Sequence, residues 1–177
     1  MISDGSVDLV FGGDDRHFRL GIAELLALQE KRASGPLEIV TRLQLGIWRV
    51  EDITESLRIA LIGGGMEAKA AKTLVEDNVR PGNITPHALN ALAVLLSALQ
   101  GDPDDPGGEA FTSSGVSVVA YYGTGAVMHY TPEQVGRMSL YQFAACVDGL
   151  NAANSSPEIK APTDEEFAAA KAAHGDD

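Results

Sequence analysis

Ser6-Val7-Asp8-Leu9-Val10-Phe11-Gly12-Gly13-Asp14-Asp15-Arg16-His17-Phe18-Arg19-Leu20 is the stretch on which the fold turns. Val7, Leu9 and Phe11 alternate with polar or smaller positions, the period of a half-buried strand. Gly12-Gly13-Asp14-Asp15 reads as a turn, because glycine reaches positive φ without steric cost and aspartate tolerates turn geometry. Phe18 and Leu20 then alternate with His17 and Arg19 on a returning strand. The stretch predicts a β-hairpin with one apolar face. A lone hairpin is marginal in water, so that face must dock on another element.

The elements to dock on follow at once. Ile22, Leu25, Leu26 and Gln29 keep helical spacing, and Gly35-Pro36 stops one helix and opens the next. Leu37, Val40 and Leu43 form the second stripe. Asp52 with Glu55 resembles a capping pair ahead of Ile53, Leu57, Ala60 and Leu61. Gly63-Gly64-Gly65 ends that helix, and residues 66–78 predict another with Ala70, Ala71, Leu74 and Val75 inward. Thr85-Pro86 predicts a capped helix start before the apolar run Ala88 to Leu99, which is too short to span a bilayer. The fold expected for residues 1–100 is therefore α+β, a hairpin packed on four or five helices.

Residues 101–115 are rich in Gly, Pro and Asp, the composition of a flexible solvated linker. Beyond them, 116–156 reads as a small, mainly helical segment, and 157–177 as a Pro-interrupted, acidic and Ala-rich tail. Val116 to Tyr122 fits a strand or a short buried helix equally. Thr131-Pro132-Glu133-Gln134 and Ser139-Leu140-Tyr141-Gln142 are successive helix starts.

The net charge is −12, distributed as −3 over residues 1–100 and −9 over 101–177. Such a chain repels nucleic acid and anionic membrane surfaces; the acidic half serves solubility or meets a basic partner. The first residues lack the pattern of a secretory leader. A single cysteine, Cys146, forms no internal disulfide, in keeping with a cytoplasmic location.

No catalytic constellation emerges. His17, His87, His129 and His174 lie in separate segments without metal-ligand spacing, and no cofactor is expected. Gly63-Gly64-Gly65 lacks the Lys-Ser/Thr of a phosphate loop, Gly123-Thr124-Gly125 lacks the third glycine of a dinucleotide fingerprint, and Ser113-Ser114-Gly115 is no nucleophile elbow. Cys146 sits among small apolar residues. The expected role is protein binding, not catalysis. Candidate partner-binding residues are the lone Trp48, which fits the core or a partner anchor, and Tyr121, Tyr122, Tyr141 and Phe143. With Tyr130, these last four fall in a 23-residue window of a chain holding ten aromatics, a pattern of either a docking surface or a local core.

Two segments resemble a known group. Gly5-Ser6-Val7-Asp8-Leu9-Val10-Phe11-Gly12, Phe18-Arg19-Leu20-Gly21-Ile22-Ala23-Glu24-Leu25, Leu28-Gln29-Glu30-Lys31, Gly35-Pro36, Trp48-Arg49-Val50-Glu51-Asp52 and Arg58-Ile59-Ala60-Leu61-Ile62-Gly63-Gly64-Gly65-Met66 resemble the gene-transfer-agent tail family of alphaproteobacterial prophage-like elements. Met138-Ser139-Leu140-Tyr141-Gln142-Phe143 is similar to the helix start of small phage tail assembly chaperones, with Gln142 in place of the commoner acidic residue. The resemblance implies a chaperone that binds tape-measure and tail tube proteins in the bacterial cytoplasm, with homo-oligomerisation open. The alternative it implies is a tail tube subunit, which would be virion-associated. That alternative ranks second here because tube subunits are usually β-sandwich rings and only one hairpin is evident.

Overall fold

The computed structural model describes residues 4–100 and 115–154. Within them the architecture is α+β, as expected: an N-terminal antiparallel hairpin followed by helices. Strand β1 (Ser6–Phe11) pairs with β2 (Asp14–Arg19), from Ser6 opposite Arg19 to Phe11 opposite Asp14. The turn is tighter than the sequence suggests. Only Gly12 and Gly13 form it, at φ +65° and +90°, and Asp14 and Asp15 already belong to β2. Two consecutive positive-φ residues suit the twist of a two-residue hairpin, which explains the paired glycines.

Phe11, Phe18 and Leu20 bring the apolar face of the hairpin into the core. There they meet helices α1 (Ile22–Arg32), α2 (Pro36–Leu45), α3 (Val50–Gly63), α4 (Ala68–Asn78) and α5 (Ile84–Gln100). Pro36 occupies the first position of α2, with Gly46 at φ +71° closing that helix. Ile53, Leu57, Ala60 and Leu61 of α3 are all fully buried. In α4, Ala71 and Val75 face inward and Ala70 is exposed. Helix α5 starts one residue before Thr85, so Pro86 falls third in its first turn, where a missing N–H still costs no intrahelical bond.

The three glycines at the end of α3 do separate jobs. Gly65 takes φ +99°, and the Gly65 N–H to Ile62 and Met66 N–H to Leu61 bonds, both 2.9 Å, complete a Schellman cap. Gly63 and Gly64 instead let the helix end press against β2: a Cβ on either would overlap the carbonyl oxygen of Arg19 or His17. A sequence reading limited to helix termination sees the first job and misses the second.

The described residues 115–154 are mainly helical. Val116 to Tyr122, left open between strand and helix, leads into a π-helical turn (Val119–Gly123) continuous with α6 (Thr124–Val127). Helices α7 (Pro132–Arg137) and α8 (Leu140–Asn154) begin where their capping signatures predict. Thr131 Oγ1 accepts from Gln134 N–H at 3.2 Å, and Ser139 Oγ accepts from Gln142 N–H at 3.0 Å. Each glutamine side chain returns the bond to its cap residue, at 2.8 and 3.0 Å.

The expected linker lies, except for Gly115, outside the described residues. Val116, Val135, Leu140 and Phe143 belong to the same buried cluster as the hairpin and α1–α5. Ile22 N–H donates to the Met138 carbonyl at 2.9 Å, Arg19 donates to the Arg137 carbonyl, and the Tyr141 hydroxyl donates to the Leu99 carbonyl at 2.5 Å. The described residues up to Val147 form one compact unit; a second begins at Asp148, of which the structure describes the end of α8.

The glycine assignments are separable by substitution. Gly65→Ala meets open space and pays only for its backbone, about 1 kcal/mol. Gly64→Ala must push β2 off α3, and a loss of about 3 kcal/mol is expected. Urea unfolding of the two variants checks the order; equal losses would contradict it.

Candidate protein-interaction site

The site is built on the corner where α1 turns into α2, and a buried carboxylate fixes that corner. Asp52 is fully buried in the first turn of α3. Arg42 from α2 grips it with two donors, Nε to Oδ2 and Nη2 to Oδ1, both 2.9 Å. Arg32, last residue of α1, adds Nε to Oδ1 at 2.9 Å, and the Arg49 N–H adds a bond to Oδ2 at 3.0 Å. Asp52 is therefore not the helix cap that its spacing to Glu55 suggested. It is the third helical residue, returning a bond to the cap position, while Glu55 pairs with Arg58 at 2.5 Å.

Burial alone would raise the Asp52 pKa. The bonds from Arg42, the Arg49 backbone and Arg32 together outweigh it and hold the carboxyl below its ordinary value. The same contact raises Arg42, whose Nη1 also donates to Glu38 at 2.6 Å and Ser34 at 3.2 Å. One carboxylate thus joins α1, α2 and α3.

On the outer side of this corner runs an open groove of about 840 Å³. One wall is the face of α1 carrying Ala23, Leu26 and Ala27, continued by the α1–α2 corner. The other is the chain from Gly115 to Tyr122, held in place by one side chain. Gln29 Nε2 donates to the Val116 carbonyl at 3.0 Å, and the Val116 N–H donates to Gln29 Oε1 at 2.7 Å. A Cβ at Gly115 would crowd that amide oxygen, at 2.8 Å. Ala33, in the groove, closes α1 at φ +48°, an uncommon geometry for alanine.

The five aromatic candidates are not gathered into one exposed face. Phe143 is 6% exposed and meets Tyr121 edge-on, ring centroids 5.1 Å apart. Burial pushes the Tyr121 and Tyr141 hydroxyls above their usual range. Trp48 is partly buried against the core, and Tyr122 is partly buried and lines the groove. Open apolar surface lies elsewhere: Val118 and Val119 are 57% and 81% exposed, and Leu45, Ile47 and Val50 flank Trp48. Sequence reasoning missed these because it weighed aromatics above aliphatics. It passed over Gln29 because one glutamine carries no signal of a contact 87 residues away.

Among the described residues, no group of three His, Cys, Asp or Glu is placed to hold a metal, and no helix is long and apolar enough to cross a membrane. What the geometry offers is an open groove whose walls are held by the Asp52 clamp and the Gln29–Val116 pair.

Comparison with family models puts the chain in a phage-tail family. The family model described as phage tail tube protein, GTA-gp10, matches residues 4–101, more than half of the 177 residues, and the chain belongs to that family. The match spans the hairpin and α1–α5, the part whose residues resemble the gene-transfer-agent tail family. No curated protein and no solved structure matches the chain.

Asp52→Ala leaves two arginines without their carboxylate, and a loss of about 3–5 kcal/mol is expected in chemical unfolding. A carboxyl depressed in the folded state contributes stability above its unfolded pKa, near 3.9, and loses it as pH falls through the folded value. Stability should therefore fall below about pH 4, and Asp52→Asn should flatten part of that acid limb. An unchanged limb would contradict the assignment.

Proposed function

We propose that the protein acts in the tail tube of a phage-like particle, through non-covalent subunit contacts and without catalysis. The observation that supports this reading is the family match over residues 4–101. It reverses the order reached from sequence alone, where the chaperone reading came first.

One observation keeps a second reading in view. The described residues hold two strands in a two-stranded sheet. A tube wall of continuous β-structure needs more strands from each subunit, so a tube role for this fold rests on its helices or on strand addition to the hairpin. A chaperone that covers tape-measure and tube proteins during assembly uses helical grooves directly. In that reading residues 116–156, joined through 101–115, supply part of the contact surface. Tyr122 and Trp48 keep exposed area for it, whereas Phe143 serves the core.

Quantitative mass spectrometry of purified particles separates the two. A tube component is expected at an abundance matching the principal tail proteins, and within the virion. Near absence from particles, with co-purification from the cytoplasm on tape-measure protein, would overturn the tube reading and leave the chaperone one.

A further inference from the structure

We propose that the groove between α1 and the Gly115–Tyr122 stretch is the docking site for an amphipathic helix from a basic partner. The inference goes beyond the tail role and holds for either form of it.

Surface chemistry selects the occupant. The α1 wall is apolar: Ala27 is exposed and leaves room for a backbone to approach, Leu26 lies beside it, and Ala23, one helical turn back, is half-covered where Gly136 of α7 packs on it. Val118 faces them with more than half of its surface open to water, and Tyr122 continues that wall. The groove is open along one side, so it would leave much of a small ligand in solvent, where ligand pockets enclose most of theirs. The backbone of α1 spends its N–H and C=O groups inside the helix. An extended segment laid on it would find few partners for its own amides, whereas a helix arrives with its backbone satisfied. Helix α1 has 11 residues, a length of roughly 16 Å, which matches about three turns of an occupant.

Charge selects the partner. Glu30 and Glu38 line the groove. Glu38 shares Arg42, but the Glu30 carboxylate has no ion-pair partner among the described residues. The charged side chains lining the groove are thus both acidic, and they attract a Lys/Arg-flanked helix. Both walls are braced before anything binds, one by the Gln29–Val116 amide pair and the other by the Asp52 clamp. Little ordering cost then falls on the association.

The test uses the full chain and two fluorescent helical peptides of about 15 residues. Both carry the same Ala/Leu stripe at i, i+3, i+4 and i+7; one has Lys on its flanks and the other Glu. Anisotropy titrations at low salt should show saturable binding of the Lys peptide, about tenfold or more tighter than the Glu peptide. Ala27→Trp fills the groove from an exposed position and should weaken the Lys peptide about tenfold without moving the melting temperature. Glu30→Lys should weaken it several-fold at low salt, and the difference should shrink near 0.5 M salt. Should Ala27→Trp disturb folding, Val118→Lys, at an exposed position on the opposite wall, serves instead. Failure of the Lys peptide to saturate would overturn the proposal, as would full affinity in the groove variants. That failure would include the case of this chain's own remaining residues filling the groove. Neither result bears on the abundance of the protein in particles, so the two readings fail separately.

Discussion

A single buried carboxylate sets the geometry from which the surface follows. Asp52 is removed from water, and a charge so placed is tolerated only when its oxygens are fully bonded. Two arginines and one backbone N–H do this, and each comes from a different piece of chain. Satisfying Asp52 therefore forces the end of α1, the body of α2 and the start of α3 into one arrangement. A hydrophobic cluster alone would hold these helices together but would let them slide. The directional bonds remove that freedom, and the α1–α2 corner lining the groove inherits the precision.

Close backbone approach is the second constraint. Gly63 and Gly64 seat α3 against β2, and Gly125 lies where a Cβ would overlap Val135 of α7. Gly136 brings α7 onto α1, with Ala23 and the Tyr122 hydroxyl 3.1 and 3.2 Å from where its Cβ would stand. Through these contacts the residues after 114 complete the packing of the hairpin-and-helix part, with Met138 accepting a bond from the first residue of α1. The family match ends at residue 101, yet the buried cluster continues through Val116, Val135, Leu140 and Phe143. The helix that bears the groove is thus packed from both parts of the chain.

Much of this was legible in the residues. Period-two alternation around Gly12-Gly13 announced the hairpin, Gly35-Pro36 announced the α1–α2 junction, and the capping boxes at Thr131 and Ser139 announced α7 and α8. Those signals are local, confined to a few neighbouring positions. The parts that stayed hidden are non-local. Asp52 looked like a cap because its role depends on Arg32 and Arg42, which spacing on α3 does not reveal. Val116 to Tyr122 was ambiguous because its short apolar run fits two periods, and Gln29, far along the chain, anchors its first residue. The aromatic cluster read as a surface or as a core, and Phe143 falls on the core side. The groove combines both failures, being lined by alanines and a valine from segments that only folding brings together.

The structural claim on which the rest depends is that residues 4–100 and 115–147 form one cooperative unit, so that the groove is built before a partner arrives. Native-state hydrogen exchange of the full chain measures this at the joining bonds. The amides of Val116 and Ile22, which bond to Gln29 and to Met138, should open with the same free energy as those in the middle of α3. Fast exchange at Val116 and through α7 while α3 stays protected would mean that the second part opens independently, and the account would fail.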